Sequence, residues 1–271
     1  MKCEFRAYTP CLALQPYVNC YLHMKGKRCA AWQQQLVPGN IQGLGFIFSG
    51  SIHSSLAAPN TSTIRSFVLG QLQKPVDVNF TEDLDVITIL FKSTGMYRLF
   101  GIPMQLFAGR GVDFELVCRR QEENAVRKVF SNDTTKERVA AIETLLLEKL
   151  PQHPDQHADR IEYASRLILT HNGNLTVNQI AREVNMSKRN LERHFIGQVG
   201  LSPKSFSCIA RIKNVLQLII FQPMSAWKEI SQKLEYADQA HFFHEFKKFT
   251  GKTPREYFKS ITDFEHFLYA G

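Results

Sequence analysis

Two sets of side chains in this chain have the types and spacing for polyanion and base recognition. Lys188, Arg189, Glu192 and Arg193 fall on one face of any helix drawn through them, and Gln239, His241, His244 and Lys247 supply a second set. An arginine fork matches phosphate oxygens or guanine O6 and N7, and a glutamine amide matches adenine N6 and N7. Other chemistries fit less well. His241 and His244 form an i, i+3 pair, but no third metal ligand lies near them in sequence. Cys3, Cys11, Cys20 and Cys29 are spaced by 8, 9 and 9 residues, unlike the close pairs of zinc sites, and read as buried small hydrophobes. Only His23 and His53 fall in the first 118 residues, too few for a metal-dependent barrel enzyme. A nucleophile elbow, a P-loop and a dinucleotide fingerprint are missing from the sequence.

The elements that position these residues announce themselves as a repeat. Phe195-x4-Gly200-x-Ser202-Pro203-x2-Phe206 recurs 51 residues later as Phe246-x4-Gly251-x-Thr253-Pro254-x2-Tyr257. A short amphipathic helix precedes each copy, centred on Ile180-Ala181 and on Ile230-Ser231, so each unit reads as a helix-turn-helix. In the first, Val177, Ile180, Ala181 and Val184 share a face, Asn185 takes the turn, and Ser187 caps a second helix with Leu191 and Phe195 inward. In the second, Ile230, Ser231 and Leu234 form the support helix, Asp238 is the cap, and Phe242 and Phe246 face inward. Between the units an apolar helix over 204–221 spans ~27 Å at 1.5 Å per residue. That is close to the ~34 Å repeat of B-DNA, so the two recognition helices can enter successive major grooves. Ser202-Pro203 and Thr253-Pro254 start further helices whose free N–H groups suit phosphate, with Lys204 and Arg255 beside them.

Charge follows the repeat. Residues 160–260 hold 16 Lys and Arg against 8 Asp and Glu, whereas 1–159 hold 17 against 15. A basic excess in the repeat is what binding a polyanion requires. The first ~118 residues instead carry strand signals at 44–48, 66–69 and 85–91 between turns, which predicts a β-sandwich or barrel. Phe46, Phe48, Phe67 and Phe91 on those strands read as core. A short helix is expected over 96–100, ending at Gly101, and a helical pair over 121–130 and 135–150, with a helix start at 132–135. The boundaries drawn are 1–118 for a β sensor domain, 119–154 for a helical linker or dimerisation segment, and 155–262 for the tandem helix-turn-helix. The N-terminus lacks a secretory signal and no apolar run approaches ~20 residues, so a cytoplasmic protein without a membrane partner is expected.

These residues resemble the AraC/XylS family of bacterial transcription regulators. The likeness is strongest from Asp238 to Tyr257, where the family pattern runs Asp-x-Ser-His-Phe-x-Arg-x-Phe-Lys-Lys-x-x-Gly-x-Thr/Ser-Pro-x-x-Tyr. Here Ala240 stands for Ser, His244 for Arg, and Glu235 and Asn185 for the turn glycines. The resemblance implies base-reading positions at Arg189, Glu192 and Arg193, with Gln239, Ala240 and His241 as counterparts, and a backbone contact at His244. These departures imply a weaker phosphate grip by the second unit, with the fold intact. The N-terminal region resembles a cupin-like sensor through Leu12-x2-Gln15-Pro16-Tyr17-Val18-x2-Tyr21, Gly70-Gln71-x3-Pro75-Val76 and Phe91-x3-Gly95-x3-Leu99-x-Gly101-x-Pro103. The fold class expected is therefore α+β multidomain: a mainly-β cupin-like barrel or sandwich, linker helices, and an all-α tandem helix-turn-helix. Double-stranded DNA is the expected partner, with RNA polymerase and an unidentified small effector as further ones, in a monomer or homodimer. No cofactor, metal or enzymatic activity is expected. The rival readings are a ligand-independent DNA binder and a cupin-type enzyme fused to a DNA-binding domain.

Overall fold

Period-2 alternation along the strands decides how the N-terminal half is layered. A computed structural model describes residues 3–26, 31–56, 64–81, 83–118, 122–153, 155–221 and 239–269. Its strands are β1 (Glu4–Tyr8), β2 (Val18–Lys25), β3 (Trp32–Leu36), β4 (Gly43–Ser49), β5 (Ile52–Ser54), β6 (Ser66–Leu69), β7 (Val76–Phe80), β8 (Asp85–Phe91) and β9 (Gly111–Asp113). They form an antiparallel six-stranded sheet, β1-β2-β8-β4-β6-β9, and an antiparallel three-stranded sheet, β3-β7-β5. The three strands read from sequence form as β4, β6 and β8, which are neighbours in the large sheet.

Along β8, Ile87, Ile89 and Phe91 point to one face and Val86, Thr88 and Leu90 to the other. The first face is covered by helices α1 (Gly95–Phe100), α2 (Glu123–Phe130) and α3 (Thr135–Leu147), which bury Met96, Leu99, Val126, Val129, Ile142 and Leu145 against it. α1 ends at Gly101, whose φ of 68° is the left-handed conformation that a helix C-terminus asks of glycine. α3 starts at Thr134 with a capping box to Glu137. The second face meets the small sheet across an apolar cavity lined by Leu22, Met24, Leu69 and Leu90 on one side and Val78 and Phe80 on the other.

Parity also corrects one aromatic. Phe46 and Phe91 are core as expected, but Phe67 lies on the other face of β6, turns into the cavity, and crosses Gly45 so closely that a Cβ there would collide with its ring. The cysteine expectation is corrected too. Cys3, Cys11, Cys20, Cys118 and Cys208 are half-buried rather than buried. Cys29 lies outside the described residues.

The C-terminal half is helical: α4 (Gln156–Thr170), α5 (Val177–Glu183), α6 (Lys188–Val199), α7 (Pro203–Phe221), α8 (Gln239–Thr250), α9 (Pro254–Phe258) and α10 (Asp263–Tyr269). α4 is an element the sequence reading does not include: Asp155 caps it, and Ala158, Ile161, Ala164 and Ile168 form its buried stripe. These helices share one core containing Ile161, Ile180, Leu191, Phe195, Phe206 and Phe246, and Val37 from the β region is buried in it. Further ties cross between the halves. Glu162 accepts from the Thr94 N–H and hydroxyl at 2.9 and 2.8 Å, Arg98 pairs with Asp159 at 3.0 Å, and Asn40 donates to the Phe206 carbonyl at 3.2 Å. Among the described residues, no helix is long and apolar enough to cross a membrane.

Candidate nucleic-acid interface

The first helix-turn-helix unit is built by local rules that its sequence obeys in turn. Thr176 caps α5 with a capping box to Gln179. α5 buries Ile180 and Ala181 and ends at Val184, after which Asn185 adopts φ 51°, a left-handed turn that asparagine tolerates. The Asn185 carbonyl accepts from Arg160 Nη1 of α4 at 3.3 Å, a contact between residues 25 positions apart that no local pattern announces. Ser187 then caps α6, its hydroxyl accepting from the Asn190 N–H at 3.2 Å.

With Leu191 and Phe195 fully buried, the opposite face of α6 presents Lys188, Arg189 and Arg193 to solvent, with Glu192 half-buried among them. Arg189 and Arg193 are one turn apart, so their guanidinium groups leave the same side of the helix. The next side chain, His194, stacks on His157 of α4 with ring centroids 4.5 Å apart. Partial burial, then the neighbouring His157 and Arg193, push the His194 pKa below the ordinary histidine value. A neutral His194 can accept the hydrogen bond that Arg193 Nη2 makes to its Nε2 at 3.2 Å.

The repeated residues now have physical reasons. Gly200 and Gly251 end α6 and α8 at φ 90° and 74°, and their N–H groups donate to Ile196 and Lys247 carbonyls at 3.0 and 2.8 Å. Ser202 accepts from the Ser205 N–H at 3.1 Å, and Thr253 makes a capping box with Glu256. Phe195 meets Phe206 edge-on at 5.3 Å, and Phe246 meets Tyr257 edge-on at 5.7 Å. Each copy is thus a helix, a glycine reversal, a capped helix start and an aromatic lock. Lys204 is exposed one residue into α7, and Arg255 is exposed in α9.

In the second unit, Phe242 and Phe246 are buried as expected, and Arg211 of α7 pairs with Glu245 at 3.2 Å to hold α8 in place. Ala240, His244 and Lys247 are exposed along α8. The backbone of Gln239 and His241 lies in α8, but their side chains, the support helix around Ile230, Glu235 and the Asp238 cap are outside the described residues. Lys188, Arg189, Glu192 and Arg193 therefore share one surface. Ala240, His244 and Lys247 share a second one.

Comparison with known proteins agrees with this geometry. Residues 180–260 match the helix-turn-helix domain family, and residues 6–113 match a domain of unknown function (DUF6597). The C-terminal region is therefore a helix-turn-helix domain. Among individual proteins, the chain is similar to the Msm operon regulatory protein of Streptococcus mutans, 28% identical over 123 residues that make up 45% of this chain and 44% of that one. The chain thus spans less than half the length of that curated relative. Among solved structures it resembles ToxT of Vibrio cholerae bound to an unsaturated fatty acid, at 14% identity and TM-score 0.45, covering 89% of this chain and 95% of that one. It also resembles the C-terminal domain of AraT, a response regulator from Geobacillus stearothermophilus, at 24% identity and TM-score 0.35, covering 39% of this chain and 89% of that one.

Proposed function

We propose that the protein is a sequence-specific DNA-binding transcription regulator. In this reading α6 and α8 enter successive major grooves of one duplex, and a small effector held by the β domain modulates binding. The observation that carries the reading is the exposed cationic face of α6, set on a helix-turn-helix by the left-handed Asn185 turn and the Ser187 cap. Arg189 and Arg193 read base edges, with Glu192 between them as a partner for cytosine N4. Lys188, Lys204, Lys247 and Arg255 hold phosphates, and Ser187 sits at the helix start nearest the backbone. Gln239, Ala240, His241 and His244 are the second reader, weaker in charge.

An effector site is favoured over a ligand-independent binder by the cavity between the two sheets. The fused-enzyme alternative has less support. Among the described residues, no group of three or more His, Cys, Asp or Glu side chains is placed to hold a metal, and His23 is already hydrogen-bonded to Asp85 at 2.8 Å. RNA polymerase is the natural further partner for such a regulator, acting in the cytoplasm. The test is selection of genomic duplex fragments by the purified full-length chain, followed by titration at several salt concentrations. The reading expects enrichment of one sequence motif and affinity falling steeply with salt as counterions are released. Uniform recovery of all fragments would contradict it.

A further inference from the structure

The cavity between the sheets has one wall that does not come from a strand. α10 follows the second helix-turn-helix unit in the chain, yet it delivers Phe264 and Leu268 to the cavity lining. It is tied to the β domain by the Phe264 and Phe5 rings, 5.7 Å apart, and by the Thr262 hydroxyl, which donates to Gln34 Oε1 at 2.9 Å. It is tied in the other direction by Glu265, which accepts from the Tyr257 hydroxyl. Tyr257 in turn packs edge-on against Phe246 of α8. A continuous set of packed side chains therefore runs from the cavity to the second recognition helix.

The lining decides what the cavity can hold. Among the described residues, only Ser54 and Thr88 bring hydroxyls to the lining, and no charged side chain lines it. Its volume is about 150 Å³. Apolar cavities of that order stay dry and accept benzene-sized apolar molecules. A carboxylate or ammonium group placed there would lose its water without gaining a counter-charge.

We propose that this cavity binds a small uncharged apolar molecule, aromatic or aliphatic with at most a hydroxyl or carbonyl group, and that α10 relays its occupancy to α8. The relay deepens the regulator reading and rests on it for its output. A ligand in the cavity adds contacts to Phe264 and Leu268 and so holds α10 in its docked place. Through Glu265 and Tyr257 this fixes Phe246 and the helix that carries it. Arg189, Arg193, Ala240 and His244 stay exposed in that docked arrangement, so occupancy tightens DNA binding by pre-organising the second reader.

The experiment uses the full-length chain and fluorobenzene, an uncharged probe of benzene size whose binding is read from its 19F NMR signal. Saturable binding of one probe per chain is expected. 1-Octanol should displace it at concentrations at least ~10-fold lower than octanoate, because only the latter carries a charge. Saturating probe should tighten binding to a selected duplex by about 5-fold or more. Tyr257→Phe should keep probe binding but reduce that tightening below about 2-fold. Val78→Phe should fill the cavity and remove probe binding, with duplex binding as the control for folding. Leu69→Phe on the opposite wall serves as a second filling variant. Octanoate matching octanol overturns the ligand class, and probe binding unaffected by both filling variants overturns the site. Unchanged duplex affinity with probe bound overturns the relay. No saturable probe binding with duplex binding intact overturns this inference while the regulator reading stands. Saturable probe binding without any sequence-specific duplex binding overturns the regulator reading instead.

Discussion

Replacing Arg193 and Lys204 by alanine, one at a time, should separate base reading from phosphate grip. Both side chains are exposed, and Arg193 makes one described polar contact, to His194. Removing either should change folding stability by less than about 0.5 kcal/mol, as for ordinary surface substitutions. Arg193 lies one turn beyond Arg189, on the face opposite buried Leu191 and Phe195. A bidentate guanine contact from it is worth about 1–3 kcal/mol, so the selected site should bind roughly 5- to 150-fold more weakly while a scrambled duplex barely changes. Lys204, at the start of α7, should lose affinity equally on both duplexes and reduce the salt slope by about 0.9, the value for one released counterion. Fluorescence anisotropy on the two duplexes at several salt concentrations measures all of this. Equal losses on both duplexes for Arg193→Ala would refute its role as a base reader and rotate the assigned face of α6.

Other substitutions test the frame. Gly200 and Gly251 play the same role in the repeat, but a Cβ at Gly200 would lie 2.9 Å from the Met104 carbonyl oxygen, whereas at Gly251 the nearest atom is 3.4 Å away. Gly251→Ala should therefore cost only the left-handed strain, about 1–2 kcal/mol, and Gly200→Ala clearly more, as read by urea unfolding; equal costs would show that α6 does not press on the Met104–Leu106 turn in solution. At Asp85, burial pushes the carboxyl pKa up, but hydrogen bonds from His23 and Lys25 outweigh it and hold the carboxyl well below the usual carboxylate range. A carboxyl lowered on folding stabilises the protein above its unfolded value of about 3.9, and that contribution is lost as pH falls through the folded value. Asp85→Asn leaves His23, Lys25 and Arg138 without their shared counter-charge, so it should cost about 3–5 kcal/mol near neutral pH and flatten the acid limb of the stability curve. An unchanged acid limb would place the acid sensitivity elsewhere.

The C-terminal units were legible because their rules are local. Phe195, Gly200, Ser202-Pro203 and Phe206 each do a job set by neighbours within a turn or two, and the same jobs recur at Phe246, Gly251, Thr253-Pro254 and Tyr257. Asn185 and Ser187 announced the turn and the cap for the same reason. What stayed hidden depends on contacts distant in sequence. β3, β5 and β7 are short and polar in places, and their identity as a second sheet comes from pairing such as Trp32 with Phe80. Nothing near Phe67 says which face of β6 is the cavity, since that parity is set by β4 and β9 on either side. α4 carried a readable cap and stripe in Asp155, Ile161 and Ile168, but its partners Thr94 and Arg98 lie more than 60 residues away. α10 was equally invisible as a cavity wall, because its seven residues gain meaning only against Phe5 and Gln34.

Whether one chain reads two successive major grooves is decided by hydroxyl-radical footprinting with guanine-methylation interference on a selected duplex. Two protected patches are expected on the same face of the duplex, with centres about 10–10.5 base pairs apart. Arg193→Ala should remove the interference signal from one patch only. A single protected patch, or two patches on opposite faces of the duplex, would contradict the reading of two grooves by one chain.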